Sequence, residues 1–193
     1  MLQYLKEIDT QVLLFLNQFH TPGLDSAMYV MTKTFFWTPV YAFLIYLVFK
    51  TYKMKGWFVV LAALLVILVS DQIMTSFMKP FFARLRPSHE PSLEGIVHLV
   101  NGYRGGLYGF ASGHASTSFG GACFVWLSLR DHVKWVGLVF VWAAVMTYTR
   151  IYLGVHYPGD ILVGMTIGFL CGWMGFRFLA YLQNRNKKTP SVS

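Results

Sequence analysis

The chain has 193 residues, of which 55% are hydrophobic and only 12% charged, and it carries a formal net charge of +8. A soluble domain carries about 25% charged residues, so this composition excludes an ordinary aqueous fold and points to one domain with a bilayer as its solvent. The basic residues fall in small clusters between long apolar runs, not along one polar face, which argues against nucleic acid and for lipid head groups or phosphorylated substrates.

At the N-terminus, the apolar run 12–16 is too short for the core of a secretory signal, and Lys6 is followed at once by Glu7 and Asp9. Thr21-Pro22-Gly23 then interrupts the chain. Residues 1–34 read as one or two interfacial helices, with a further span as the alternative. Beyond them, the stretches 35–52, 57–78, 112–129, 135–153 and 161–182 reach or approach the roughly 20 apolar residues that a spanning helix needs. Trp37, Trp57 and Trp135 lie at span ends, where amphipathic rings favour the interface. The expected fold is all-α: a bundle of about five transmembrane helices over residues 35–182, followed by a basic disordered tail, 183–193. Cys123 and Cys171 sit inside apolar runs and read as buried free thiols.

The connections divide into two sets. Lys50, Lys53 and Lys55, then Arg130 and Lys134, then Arg185, Lys187 and Lys188 all fall on one side of five alternating spans. The positive-inside rule makes that side cytoplasmic in an inner membrane and leaves the segments 79–111 and 154–160 facing the exterior or periplasm. Those segments also carry Lys79, Arg84, Arg86 and Arg104, so basic residues on the disfavoured side need another reason to exist.

Three clusters on that second side supply one. Lys79, Arg86 and Arg150 are permanent cations, and an arginine fork matches phosphate oxygens two at a time. Ser112 and Gly113 open the third span, where free N–H groups and the positive dipole end face an anion. His156 precedes Pro158-Gly159, and Asp160 stands four residues on. A carboxylate there can hold one ring nitrogen and leave the other deprotonated and nucleophilic. His114, from another span, can protonate a leaving oxygen. Each residue alone has an ordinary reading: a head-group anchor, a solvated loop histidine, a helix-start acid. The conjunction of all of them on one side is what carries the argument. His20, His89, His98 and His132 are left as solvated histidines.

At these residues the chain resembles the type 2 phosphatidic acid phosphatase family. That family's pattern is Lys-x6-Arg-Pro, Pro-Ser-Gly-His and Ser-Arg-x5-His-x3-Asp. Here it reads Lys79-x6-Arg86-Pro87, Ala111-Ser112-Gly113-His114 and Thr149-Arg150-x5-His156-x3-Asp160. Ala111 replaces the proline and Thr149 keeps the serine's hydroxyl, so neither departure removes a functional group. The resemblance implies a helical bundle and a phosphatase that works without metal or cofactor through a phosphohistidine. His156 would be the nucleophile, Asp160 its orienting partner and His114 the general acid. Lys79, Arg86, Ser112, Gly113 and Arg150 would bind phosphate.

Arg84 and Arg104 lie outside the core pattern and read equally as head-group contacts or solvated charge. Asp71, inside the second span, needs a polar partner, because an ionised acid at mid-bilayer costs about 2.5–3.5 kcal/mol. Catalytic residues at span ends suit a membrane lipid phosphate. The substrates implied are undecaprenyl diphosphate, taken first, then lipid A phosphates, phosphatidylglycerol phosphate and phosphatidic acid. Small size points to a bacterial enzyme, and no obligate protein partner is indicated. Vanadium-dependent haloperoxidases share the pattern but are soluble. A transporter that only binds lipid phosphate would need the cations but neither His114 nor the His156–Asp160 pair.

Overall fold

The computed structural model describes residues 1–188, and every named element is helical. The helices are α1 (Leu2–Asn17), α2 (Pro22–Met31), α3 (Thr38–Tyr52), α4 (Gly56–Gln72), α5 (Lys79–Phe82), α6 (Gly113–Leu129), α7 (Val139–Tyr152) and α8 (Pro158–Lys188). π-helical turns at Ile73–Met78 join α4 to α5, so the second expected span is one continuous rod. Pro80 lies just after that widening and has no N–H to return to the preceding turn.

The five expected spans correspond to α3, the α4–α5 rod, α6, α7 and α8. Their outer surfaces explain the composition. Along α4, Val59 and Val66 are buried while Leu61, Leu64, Leu65 and Leu68 are exposed, so the outward face is as apolar as the inward one. Such a helix needs hydrocarbon on its free side. Thr34–Phe82, which contains both α3 and the α4–α5 rod, and Pro158–Arg185 are long and apolar enough to cross a membrane.

The centre of the bundle is the pairing of α6 with α8. Gly164, Gly168 and Gly172 repeat at intervals of four and meet the backbone of Ser112, Ser116 and Gly120; a Cβ at Gly120 would stand 3.1 Å from the Gly168 carbonyl oxygen. Small residues at this spacing let two backbones approach where lipid supplies no hydrophobic drive. Around the seam, Leu47, Val48, Val59, Val66, Phe119, Phe124 and Leu129 fill the core away from the site. At that end the Tyr52 hydroxyl of α3 donates to the Ser128 carbonyl of α6.

Two expectations change here. The tail was expected to lose order from 183, yet α8 continues through Lys188. No Gly or Pro interrupts 183–188 to end the helix sooner. The rest of that tail, 189–193, lies outside the described residues. The N-terminal segment forms two separate helices, of 16 and 10 residues, with Thr21 capping α2 through the Leu24 N–H at 3.3 Å. They also fold onto the bundle. Leu13 is fully buried against Leu93, Val97, Ala115, Ile151, Tyr157 and Ile161, and Asn17 is 2% exposed.

Candidate active site

The residues singled out from sequence meet at one end of the bundle. An isolated antiparallel bridge between Leu85 and Tyr108 pairs the stretch after α5 with the Gly-rich segment 101–110. There the Arg86 N–H donates to Leu107 at 3.1 Å and the Gly109 N–H to Arg84 at 2.9 Å. That pairing aims Arg86 inward, where it is 7% exposed and donates through Nε to the Tyr108 carbonyl at 3.2 Å. Arg150, at the end of α7, is 2% exposed. It donates through Nη1 to Thr32 Oγ1 at 2.6 Å and through Nη2 to the Tyr103 hydroxyl at 3.3 Å. Its Nε is buried without a partner among the described residues, a charged donor still open to an anionic oxygen. Lys79, half-buried, shares the electrostatic field of Arg86, Arg150 and Asp71.

Gly154 ends α7 at φ +67°, and the chain turns through Val155 and His156 into α8. His156 is 1% exposed, and its Nδ1 lies 3.2 Å from Asp160 Oδ2. The carboxylate accepts, so Nδ1 carries the proton and Nε2 keeps its lone pair. The same Oδ2 accepts the Tyr157 N–H at 3.0 Å. Burial, then the charges of Arg86, Arg150 and Lys79, hold the His156 imidazole well below its usual pKa and therefore neutral. Fully buried Ser112 caps α6 through the Ala115 N–H at 3.4 Å and donates its own N–H to the Asp160 carbonyl at 3.0 Å. Gly113 follows as the first residue of α6. His114 lies against the Thr32 backbone, in the field of Arg150 and His156. The arrangement offers a neutral, oriented imidazole, a second histidine, and three cations facing a helix start.

The family model of the PAP2 superfamily matches residues 60–184. The chain belongs to the PAP2 superfamily. It is 42% identical over 184 residues to lipid A 4'-phosphatase of Bacteroides thetaiotaomicron, covering 94% of this chain and 80% of that protein. Lipid A 4'-phosphatase of Porphyromonas gingivalis is 37% identical over 188 residues, covering 95% and 78%. Among solved structures, the fold is similar to the transmembrane PAP2 type phosphatidylglycerolphosphate phosphatase of Bacillus subtilis, with TM-score 0.67 and 21% identity over 98% of this chain and 90% of that one. It is also similar to Aquifex aeolicus LpxE, with TM-score 0.63 and 27% identity over 87% and 94%. The chain is accordingly a membrane PAP2 enzyme that hydrolyses phosphate esters of lipids.

Within this PAP2 site, some expectations shift. Arg84 is no free head-group contact. Its guanidinium bonds Asp160 Oδ1 at 3.1 Å and Asp9 Oδ2 at 2.8 Å, because the Arg84–Gly109 pairing brings it beside the start of α8. Arg104 stays exposed, and its carbonyl accepts the Ser88 hydroxyl at 2.7 Å. The Asp71 carboxylate stands beside Gly113, with an oxygen 3.4 Å from where a Cβ would lie. His98 and His20 are not merely solvated. His98 Nε2 lies 3.0 Å from Asp25 Oδ1, and the His20 ring stacks on His98 at 3.7 Å and 3°. These three side chains are close enough to hold a cation, but the lone pairs of parallel rings do not converge on one point. Sequence reasoning missed Asp9, Thr32 and Tyr103. No spacing signal marks them, because each reaches its partner across the fold.

Proposed function

We propose that this PAP2 enzyme removes a phosphate monoester from lipid A through a covalent intermediate on His156. The observation that carries the chemistry is the buried His156–Asp160 pair beside Arg86 and the Arg150 Nε, which has no partner among the described residues. The choice of lipid A rests on the two relatives above 35% identity that span nearly the whole chain. Undecaprenyl diphosphate, the first choice on sequence, has support from a 29% identical undecaprenyl-diphosphatase of Sulfolobus acidocaldarius.

In this reading, His156 Nε2 attacks phosphorus in line with the ester oxygen, forming the N–P bond as the P–O bond breaks. With the anionic phosphate bound beside it, His114 takes up a proton, gives it to the departing oxygen and then takes one from the water that attacks the phosphohistidine. Inorganic phosphate leaves and His156 is restored. Asp160 holds the Nδ1 proton throughout. Lys79, Arg86, Arg150 and the N–H groups at Ser112–Gly113 stabilise the charge that gathers on the phosphoryl oxygens. These fixed cations supply the electrostatic role that a divalent metal would otherwise fill, so no metal is needed for turnover.

The test is phosphate release in detergent micelles from bis-phosphorylated lipid A, undecaprenyl diphosphate, phosphatidylglycerol phosphate and phosphatidic acid, with EDTA present. Release is expected to be fastest from lipid A, to survive the chelator, and to fall by about 10³-fold or more in His156→Ala. Release that persists in His156→Ala would overturn the nucleophile, and faster release from another lipid would overturn the substrate.

A further inference from the structure

The bonds that orient His156 do not end at Asp160. Arg84 spans two carboxylates, with Nη1 3.1 Å from Asp160 Oδ1 and Nη2 2.8 Å from Asp9 Oδ2. Its guanidinium lies over the Tyr157 ring at 3.9 Å. The other oxygen of Asp9 accepts the N–H of Gly159, the residue before Asp160, at 2.7 Å. A closed ring results: Asp9, the first turn of α8, Asp160 and Arg84.

Three features mark this as more than a surface ion pair. The side chains are 13% exposed for Asp9, 22% for Arg84 and 0% for Asp160, so the ring is largely shielded from water. A Cβ at Gly159 would stand 2.8 Å from Asp9 Oδ2, so the carboxylate reaches the helix start only because that residue has none. Asp9 also lies on α1, outside the residues 60–184 that the family model matches.

Charge explains what the ring accomplishes. A guanidinium facing Asp160 alone would draw on the same carboxylate that must accept the His156 Nδ1 proton. Released from its second partner, it could also turn toward the phosphate. Asp9 divides that charge and holds the fork flat between two acceptors. We propose that Asp9 is a positioning residue for the hydrolysis: through Arg84 and the Gly159 N–H, it sets the orientation of Asp160 and so the aim of His156. This rests on the reading of His156 as nucleophile.

The test measures kcat and KM for bis-phosphorylated lipid A in micelles, alongside the thermal midpoint of each full-length variant in detergent. Asp9→Asn is expected to lower kcat about 10- to 100-fold with KM within about twofold, because it misplaces the nucleophile without removing a phosphate ligand. Arg84→Gln is expected to fall similarly, and the double variant to fall no further than the deeper single, because Asp9 acts through Arg84. Wild-type kcat in Asp9→Asn, a loss confined to KM, or fully multiplicative losses would each overturn the proposal. Should Asp9→Asn lower the thermal midpoint, Arg84→Lys carries the same test. It keeps a cation that cannot bridge both carboxylates, so kcat should fall, and an unchanged kcat would overturn the proposal. His156→Ala separates the two readings. If it is inactive while Asp9→Asn turns over normally, only the role of Asp9 fails.

Discussion

At the scale of single residues, His156 shows how burial keeps an imidazole neutral. Folding places it at 1% exposure among Arg86, Arg150 and Lys79, so the folded chain refuses a proton that the unfolded chain accepts at about pH 6.5. The sign follows from linkage. Above about pH 6.5 neither state binds that proton, and stability is unaffected; below it the unfolded state gains the proton and stability falls. The thermal midpoint in detergent should therefore drop more between about pH 7 and about pH 5 in the wild type than in His156→Asn, with a slope of up to about 1.4 kcal/mol per pH unit. Equal drops would show that His156 titrates normally when folded. Lys79, Arg86, Ser112, His114, Arg150, His156 and Asp160 were legible because short intervals along helix ends tie them together. Asp9, Thr32 and Tyr103 were not, because their bonds join residues 75, 150, 118 and 47 positions apart.

At the scale of elements, the α6–α8 seam holds the site's two halves in register. It sets Ser112 and His114 at the start of α6 beside Asp160 at the start of α8, joined by the Ser112 N–H and the Asp160 carbonyl at 3.0 Å. Gly168→Val would drive a branched side chain into the Ser116 backbone. It is expected to destabilise by about 1–3 kcal/mol and to lower the thermal midpoint. Gly137→Ala, where a Cβ meets nothing within 4 Å, is the control and should leave the midpoint unchanged. The sequence reading did not single out the glycine repeat, and spacing alone cannot say which helix a small-residue stripe faces. The N-terminal helices illustrate the same limit. Their apolar residues marked a membrane-surface element, yet Leu13 and Asn17 are buried against the loops that carry the site.

For the whole molecule, the end that carries the candidate site and the basic end of the bundle are opposite. Tyr52 meets Ser128 at one end, and Asp9, Arg84 and Asp160 meet at the other. With Lys50, Lys53, Lys55, Arg130 and Lys134 at the first end, the positive-inside rule predicts a site facing the exterior or periplasm. Ser92 is exposed near the site, whereas Cys123 and Cys171 are buried. Ser92→Cys should therefore react with an impermeant maleimide applied to intact cells against little background. Labelling only after the cells are broken would put the site in the cytoplasm.

The sequence by itself determined that the chain lives in a bilayer, that it forms about five spans, and which cations and histidines face one side. Hydrophobic runs and motif spacings are local properties, and alternating spans convert them directly into sidedness. Only the tertiary structure decided what completes the site. It turned Arg84 from a candidate lipid contact into a bridge between Asp160 and Asp9, and it gave Arg150 its anchors on Thr32 and Tyr103. The physical reason is that a charged side chain acts on whatever lies within a few ångströms, and those neighbours are chosen by packing between distant helices.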